Sequence, residues 1–301
     1  MKQKHKNILE YFGFRLIEIT VKMLPLFTIQ FVAKFLAFVT FRVIRLRRQV
    51  ALENLALAFP EKTEQQRYNI AYLSYVHFTL VLIEFMKFSG WSIEKIEKKV
   101  FIEKPELFDI IMQGNKDKGM IFVSGHLGNW EIPIIFLAAK NVAELTIIQQ
   151  RQRNILVDRH LSNLRSRRGM RILYTGDAIS NALFDLKQKR LVAIVCDQDA
   201  GQRGVFVPFF GRMASTPVGA SLLHLQSKAR LIFACSVRTG PFRYKGIMIP
   251  IEYRGDYSLK KENIAVITGK FTSVLEDLVR QYPEQYLWGH RRWKTKFVAE
   301  K

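Results

Sequence analysis

The stretch Gly119–Glu131, GMIFVSGHLGNWE, ties a strand, a turn and a helix to two chemically active side chains. Met120 to Val123 is a short apolar run, β-branched enough for a buried strand. Ser124-Gly125 breaks it. His126 follows, and Glu131 stands five positions later, where a helical apolar pattern begins (Ile132, Ile135, Phe136, Ala139). A histidine at the carboxyl end of a buried strand, with a carboxylate in the first turn of the next helix, suits a general base and the acid that orients it. The alternative is a strand-end histidine with a satisfied hydrogen bond and no chemistry. Spacing does not decide between them. His5 and Glu10 repeat it in a lysine-rich segment that has neither strand nor glycine break.

Outward from this stretch, short apolar runs alternate with amphipathic patterns. Upstream lies a helix over 104–113, then the strand 120–124. Downstream come helix 130–139, strand 144–149, helix 154–168, strand 171–174, helix 177–188 and strand 191–196. A loop over 197–215 precedes helix 216–228, strands 231–237 and 246–252, and helix 260–281. Strands alternating with helices predict an α/β fold with a largely parallel mixed sheet flanked by helices. Active groups in such sheets gather at the carboxyl ends of strands. His126, Gln150-Arg151 and Asp197-Gln198-Asp199 fall there.

The amino-terminal part differs. Residues 1–22 mix basic and apolar side chains. Residues 23–41, MLPLFTIQFVAKFLAFVTF, carry one charge, Lys34. As a helix this segment is about 28 Å long, close to the hydrocarbon thickness of about 30 Å. Arg42, Arg45, Arg47 and Arg48 follow, and such a cluster holds the following bulk of the chain on the cytoplasmic side. A spanning anchor, an interfacial helix and a buried helix of a soluble domain all fit. The expected division is an anchor over 1–48 and a helical lead-in plus α/β body over 49–301. Within the lead-in, 49–60 reads as a short helix and 65–88 as a long aromatic one.

The 301 residues carry a net charge of +21 and 49% hydrophobic content. The charge points to anionic partners: nucleic acid, anionic lipid or an acidic protein. Two cysteines, Cys196 and Cys235, lie in apolar runs and read as free core thiols. No His/Cys spacing suits a metal, and no GxSxG, GxGxxG or phosphate-loop motif occurs.

Other clusters keep more than one reading each. Asp197 and Asp199 cap a turn, or bind a cation or orient a base. Arg159, Arg165, Arg167 and Arg168 form a solvated basic face or an anion site. Gly204–Gly211 is an aromatic loop that packs under the sheet or lines a greasy surface. Trp288–Lys294, WGHRRWK, binds nucleic acid by stacking and phosphate contacts, anchors at a membrane, or places arginines by an active site.

Together these stretches resemble the bacterial lipid A biosynthesis acyltransferases of the late, lauroyl/myristoyl type. The matching pieces run in order: Arg47-Arg48 to Glu61, Ser124–Glu131, Leu164–Ser166, Asp197–Asp199, Val205–Gly211 and Pro283–Lys294. Glycerolipid acyltransferases use Asn-His-x4-Asp instead; here glycine precedes the histidine and the acid is Glu131. The resemblance implies a glycerolipid-acyltransferase-like fold with a helical membrane anchor on the bacterial inner membrane, its catalytic domain facing the cytoplasm. It implies transfer of a fatty acyl chain from acyl carrier protein, as its phosphopantetheine thioester, to a hydroxyl of a lipid A precursor. No bound cofactor or metal is expected, and nucleic acid is not an expected partner. His126 and Glu131 match catalytic positions, with Glu131 expected to hold the imidazole. Asn129, Arg165, Asp197, Asp199, Arg291 and Arg292 are expected to bind substrate or support the site. Arg165, or backbone N–H groups near Asn129-Trp130, are the expected oxyanion donors. The competing expectations are acylation of another glycolipid, aminolipid or lysophospholipid, with acyl-CoA as a possible donor, and a basic membrane-associated nucleic-acid-binding protein.

Overall fold

The computed structural model describes residues 2–88, 91–113, 119–139, 144–167, 169–176 and 178–297. The helices are α1 (Lys2–Met23), α2 (Ile29–Phe38), α3 (Arg48–Ala58), α4 (Glu64–Phe88), α5 (Ile93–Glu97), α6 (Pro105–Gln113), α7 (Glu131–Ala139), α8 (Ile155–Ser166), α9 (Ala178–Lys187), α10 (Gly219–Ser227) and α11 (Lys261–Gln281). The strands are β1 (Val100–Ile102), β2 (Met120–Ser124), β3 (Leu145–Gln149), β4 (Met170–Tyr174), β5 (Leu191–Val195), β6 (Val205–Phe209), β7 (Arg212–Thr216), β8 (Arg230–Gly240) and β9 (Arg243–Pro250). Arg168 and Asp177, both inside expected helices, lie outside the described residues.

Seven strands form one sheet in the order β1-β9-β8-β2-β5-β3-β4. All neighbours are parallel except β8 and β9. The fold is therefore the expected α/β arrangement with a mostly parallel mixed sheet flanked by helices. β2 and β5 occupy the middle, which is why Met120–Val123 and Leu191–Ala193 are buried and read as unbroken apolar runs. One sheet face packs on α9, α10 and α11, and the other on α6 and α7.

The order of the strands fixes the site. The chain leaves β2 for β3 and β4, then returns to place β5 between β2 and β3. The crevice of such a sheet lies at this switch, outside the carboxyl ends. Ser124 of β2 pairs with Val195 of β5. Two residues further along each chain, His126 and Asp197 emerge side by side.

Three local features go beyond the expected elements. The mixed basic and apolar amino-terminal residues form one helix, α1 (Lys2–Met23), tied to the body of the protein. Glu18, 1% exposed, accepts from Arg15 at 2.8 Å and Lys22 at 2.7 Å and lies 3.0 Å from His160 of α8. Asn154 Nδ2 donates to the Asn7 carbonyl and to Glu10, each at 2.9 Å. The segment 197–215 contains the antiparallel hairpin β6–β7, which packs on α11 and puts Phe209 and Phe210 in the core. β1 adds an edge strand beside β9.

α2 lies along α4. Ile29, Ala33, Ala37 and Phe41 recur every fourth residue and are fully buried, a ridge facing the groove of its neighbour. The opposite face holds Phe27, Phe31, Phe35 and Phe38, with Phe27 85% exposed. α1 adds Leu9, Phe12, Leu16 and Met23 to the exposed apolar surface. Two helical segments, Leu26–Val43 and Glu64–Phe88, are long and apolar enough to cross a membrane by length and composition.

Candidate active site

The loop between β2 and α7 carries His126. Gly125 precedes it because a Cβ there would meet Leu275 Cδ1 at 2.8 Å and Asp197 Oδ2 at 3.3 Å. Gly128 has φ +62°, and a Cβ there would sit 1.9 Å from the Ser236 carbonyl oxygen, so only glycine fits. The loop is then fastened residue by residue. Leu287 N–H donates to the His126 carbonyl (3.1 Å), Gly128 N–H to Gln285 (2.9 Å) and Asn129 N–H to Ser236 (2.9 Å).

The imidazole partner is Asp197, not Glu131. His126 Nδ1 lies 2.7 Å from Asp197 Oδ1, and the His126 backbone N–H donates to Asp197 Oδ2, also at 2.7 Å. One carboxylate thus fixes both the loop and the ring. Nδ1 carries the proton toward Asp197, which leaves Nε2 with a lone pair, the form a base needs. The Trp130 ring meets the imidazole edge-on, centroids 5.0 Å apart.

Glu131 takes a different place. Its backbone N–H donates to Asn129 Oδ1 at 3.2 Å, so Asn129 caps α7. Its carboxylate receives Arg165, through Nε at 3.3 Å and through a second guanidinium nitrogen. Arg165 also donates to Gln149 Oε1 and lies over the Phe85 ring, 5.3 Å from its centroid.

Burial works against a charged imidazole at His126. The Asp197 charge, the Asp197 hydrogen bond and the Glu131 charge outweigh it, and the group titrates above its ordinary 6.5. Burial likewise pushes the Asp197 carboxyl up, but the charge of His126 and the hydrogen bonds from it hold the group below its ordinary range. A base must be neutral, so activity is present above the raised His126 value and is lost as pH falls through it. The expected kcat/KM profile has an acid limb with an apparent pKa above 6.5. Glu131→Gln removes one charge that raises the group and should move that limb down; initial rates across the neutral range check both.

Asn129 is fully buried and has no free backbone donor for an oxyanion. Its Nδ2 donates to Glu84 at 3.1 Å, and its carbonyl accepts from Ser236 Oγ at 2.7 Å. Glu84, fully buried on α4, is gripped by both terminal nitrogens of Arg238. Breaking one side of such a buried pair costs about 3–5 kcal/mol, so this pair fixes the α4 side of the loop.

Asp199 and the basic carboxyl-terminal cluster support the site from inside. Asp199 accepts from Thr295 through N–H (3.1 Å) and Oγ1 (2.9 Å), and its own N–H donates to His290 Nε2 at 2.9 Å. Burial lowers the His290 pKa, consistent with a neutral ring accepting that bond. Arg292, 2% exposed, donates to the Ser215 carbonyl and Thr216 Oγ1, each at 2.6 Å, and its guanidinium faces Phe209. Trp288 is buried as well. His290 and Arg292 are therefore internal ties rather than a stacking surface. Arg291 is exposed. Cys196 and Cys235 are buried thiols, pushed up to about 12 by burial. Among the described residues no group of His, Cys, Asp and Glu could hold a metal ion.

His126, Glu131 and Arg165 line one cavity of about 750 Å³. Val81, Leu82 and Phe85 of α4 line it too, as does Phe14 of α1. The sequence did not assign these residues to the site; the aromatic periodicity of 65–88 was the available signal. Among the described residues of this cavity, Arg165 alone carries a fixed positive charge.

A fixed proton acceptor on a partly apolar cavity fits acyl transfer, and comparison with known proteins agrees. The lipid A biosynthesis acyltransferase 2 of Shigella flexneri is 27% identical over 259 residues, covering 85% of this chain and 80% of that protein. The lipid A biosynthesis lauroyltransferase of Escherichia coli K12 is 28% identical over 269 residues, covering 85% and 81%. The palmitoleoyltransferase of the same organism is 23% identical over 256 residues, covering 84% and 81%. The profile of one family matches residues 2–295, nearly the whole length. The chain belongs to the bacterial lipid A biosynthesis acyltransferases.

Proposed function

We propose that this protein transfers a fatty acyl chain from acyl carrier protein to a hydroxyl of a lipid A precursor, on the cytoplasmic face of the bacterial inner membrane. The observation that carries the reading is the Asp197–His126 pair, whose Nδ1–Oδ1 distance is 2.7 Å, on the wall of the large cavity. Neutral His126 Nε2 takes the proton of the acceptor hydroxyl as its oxygen attacks the thioester carbonyl carbon. The new C–O bond forms, the C–S bond breaks, and the proton passes from the imidazolium to the departing thiolate. Asp197 stabilises the imidazolium between these steps. The nucleophile is the substrate, so no acyl-enzyme forms.

Arg165 is the proposed cation beside the developing oxyanion, with Glu131 holding it in place. The exposed apolar faces of α1 and α2 seat the protein on the membrane, with α2 lying along the body at the interface rather than crossing alone. The excess of +21 then serves an acidic carrier protein, a phosphorylated acceptor and an anionic leaflet, which attracts nearby basic residues by about 1 kcal/mol each. Mass spectrometry of lipid A from a strain lacking the gene tests the reading. The expected result is a species lighter by one acyl group, restored by the wild-type gene. Unchanged lipid A with an altered phospholipid or other glycolipid would move the activity to that acceptor.

A further inference from the structure

Beneath α7 the sheet carries two alanines among large neighbours. Ala193 of β5 stands in register between Phe122 of β2 and Ile147 of β3. Ala234 lies on β8, on the same side of the sheet, in the core that also holds Phe122 and Leu137. Over them pass Trp130, Pro133, Ile134 and Leu137, which recur at helical spacing along one face. The small residues leave space. A cavity of about 40 Å³ lies against Trp130, Ile134, Ala193 and Ala234. Another of about 20 Å³ lies against Phe122, Pro133, Leu137 and Ala234.

The cavities are continuous in their walls. The first shares Trp130, Ile134, Ile147 and Ile194 with the catalytic cavity. The second shares Phe122, Pro133, Leu137 and Ala234 with the first. The first cavity therefore adjoins the catalytic one at Trp130, which meets the His126 ring, and the second adjoins the first along α7. Each exceeds the space one water needs, about 10–15 Å³. Their walls are almost wholly apolar, and water held there would lack the two to four polar partners it requires. An alkyl chain needs none.

We propose that this line of cavities receives the far end of the acyl chain being transferred, and that Ala193 and Ala234 limit its length. The inference rests on the acyl-transfer reading above. The donor's chain, rather than a chain already on the acceptor, is the occupant because of where the line begins. The thioester carbon must stand within reach of the hydroxyl that His126 deprotonates, so the chain attached to that carbon departs from beside Trp130.

The test uses the full-length protein and a homologous series of saturated acyl carrier protein thioesters, with kcat/KM measured for each. Ala193→Val and Ala234→Val place methyl groups in the line. Each should lower the ratio of long-chain to shorter-chain kcat/KM by about tenfold, the usual value of one or two methylenes in an apolar pocket. Leu137→Ala opens the inner end and should raise that ratio, which keeps the proposal testable if a valine variant fails to fold. Unchanged ratios in active variants would overturn the channel and leave the acyl-transfer reading standing. A selectivity change that follows the acceptor's acylation instead of the donor's length would assign the line to the acceptor and also overturn it. A wild-type protein inactive with every thioester would sink the acyl-transfer reading itself.

Discussion

His126→Ala is expected to lower kcat by at least about 10²–10⁴-fold, the range that a positioned general base supplies. The loss should fall on turnover rather than on folding. The side chain is 20% exposed and lines the cavity, so its truncation opens no void in the core. The loop keeps the three backbone bonds to Gln285, Leu287 and Ser236. Initial rates with a thioester donor, beside a thermal melt, separate the two effects. Near-normal turnover in a folded variant would remove His126 from the chemistry.

Asp197→Asn is expected to cost about 10³–10⁴-fold in kcat, because the introduced amide reverses the tautomer. The His126 backbone N–H donates to Oδ2, so the amide oxygen is retained there. The amide nitrogen then faces Nδ1 and donates to it. That bond puts the imidazole proton on Nε2, the atom that has to accept the substrate proton. The variant should keep its ring position and lose its base. Glu131→Gln leaves the tautomer alone. It weakens the hold on Arg165 and removes one charge near His126, and a loss of about 10-fold to 10²-fold in kcat is expected.

Much of the fold was legible in local sequence. Met120–Val123 and Leu191–Ala193 are apolar without interruption because β2 and β5 are buried on both faces. Gly125 and Gly128 marked a turn that tolerates no Cβ. The partner of His126 was legible only as one reading among several, since Asp197 was open as a turn cap, a cation ligand or an orienting acid while Glu131 was the expected partner. The acid nearest His126 in sequence is Glu131, whereas its partner, Asp197, lies 71 residues away and is brought alongside by strand order and register. Periodicity carries no information about which strand inserts between two others. The hairpin β6–β7 escaped notice because Pro208 interrupts a five-residue strand. The docking of α1 on α8 was not legible, because it rests on Glu18–His160 and Asn154–Glu10 rather than on a strong apolar stripe.

The carboxyl-terminal cluster shows the same limit from the other side. Trp288, His290 and Arg292 look like a surface for anions in sequence. In the fold Trp288 and Arg292 are buried, and His290 accepts from Asp199. Arg292 also faces the Asp197 carboxylate electrostatically and helps hold it ionised. Residues chosen for chemistry by their type thus divide into those lining the cavity, His126, Glu131, Arg165 and Asp199, and those that only fix the frame around it, with Asp199 also tying the carboxyl-terminal cluster.

The pairing of His126 with Asp197 is the centre of this account, and kcat of Asp197→Asn against kcat of Glu131→Gln tests it most directly. Both are measured with saturating donor and acceptor, on proteins of matched melting temperature. Asp197→Asn is expected to be the slower by about tenfold or more. A folded Asp197→Asn variant that turns over as fast as the wild type, while Glu131→Gln is inactive, would contradict it and return the orienting role to Glu131.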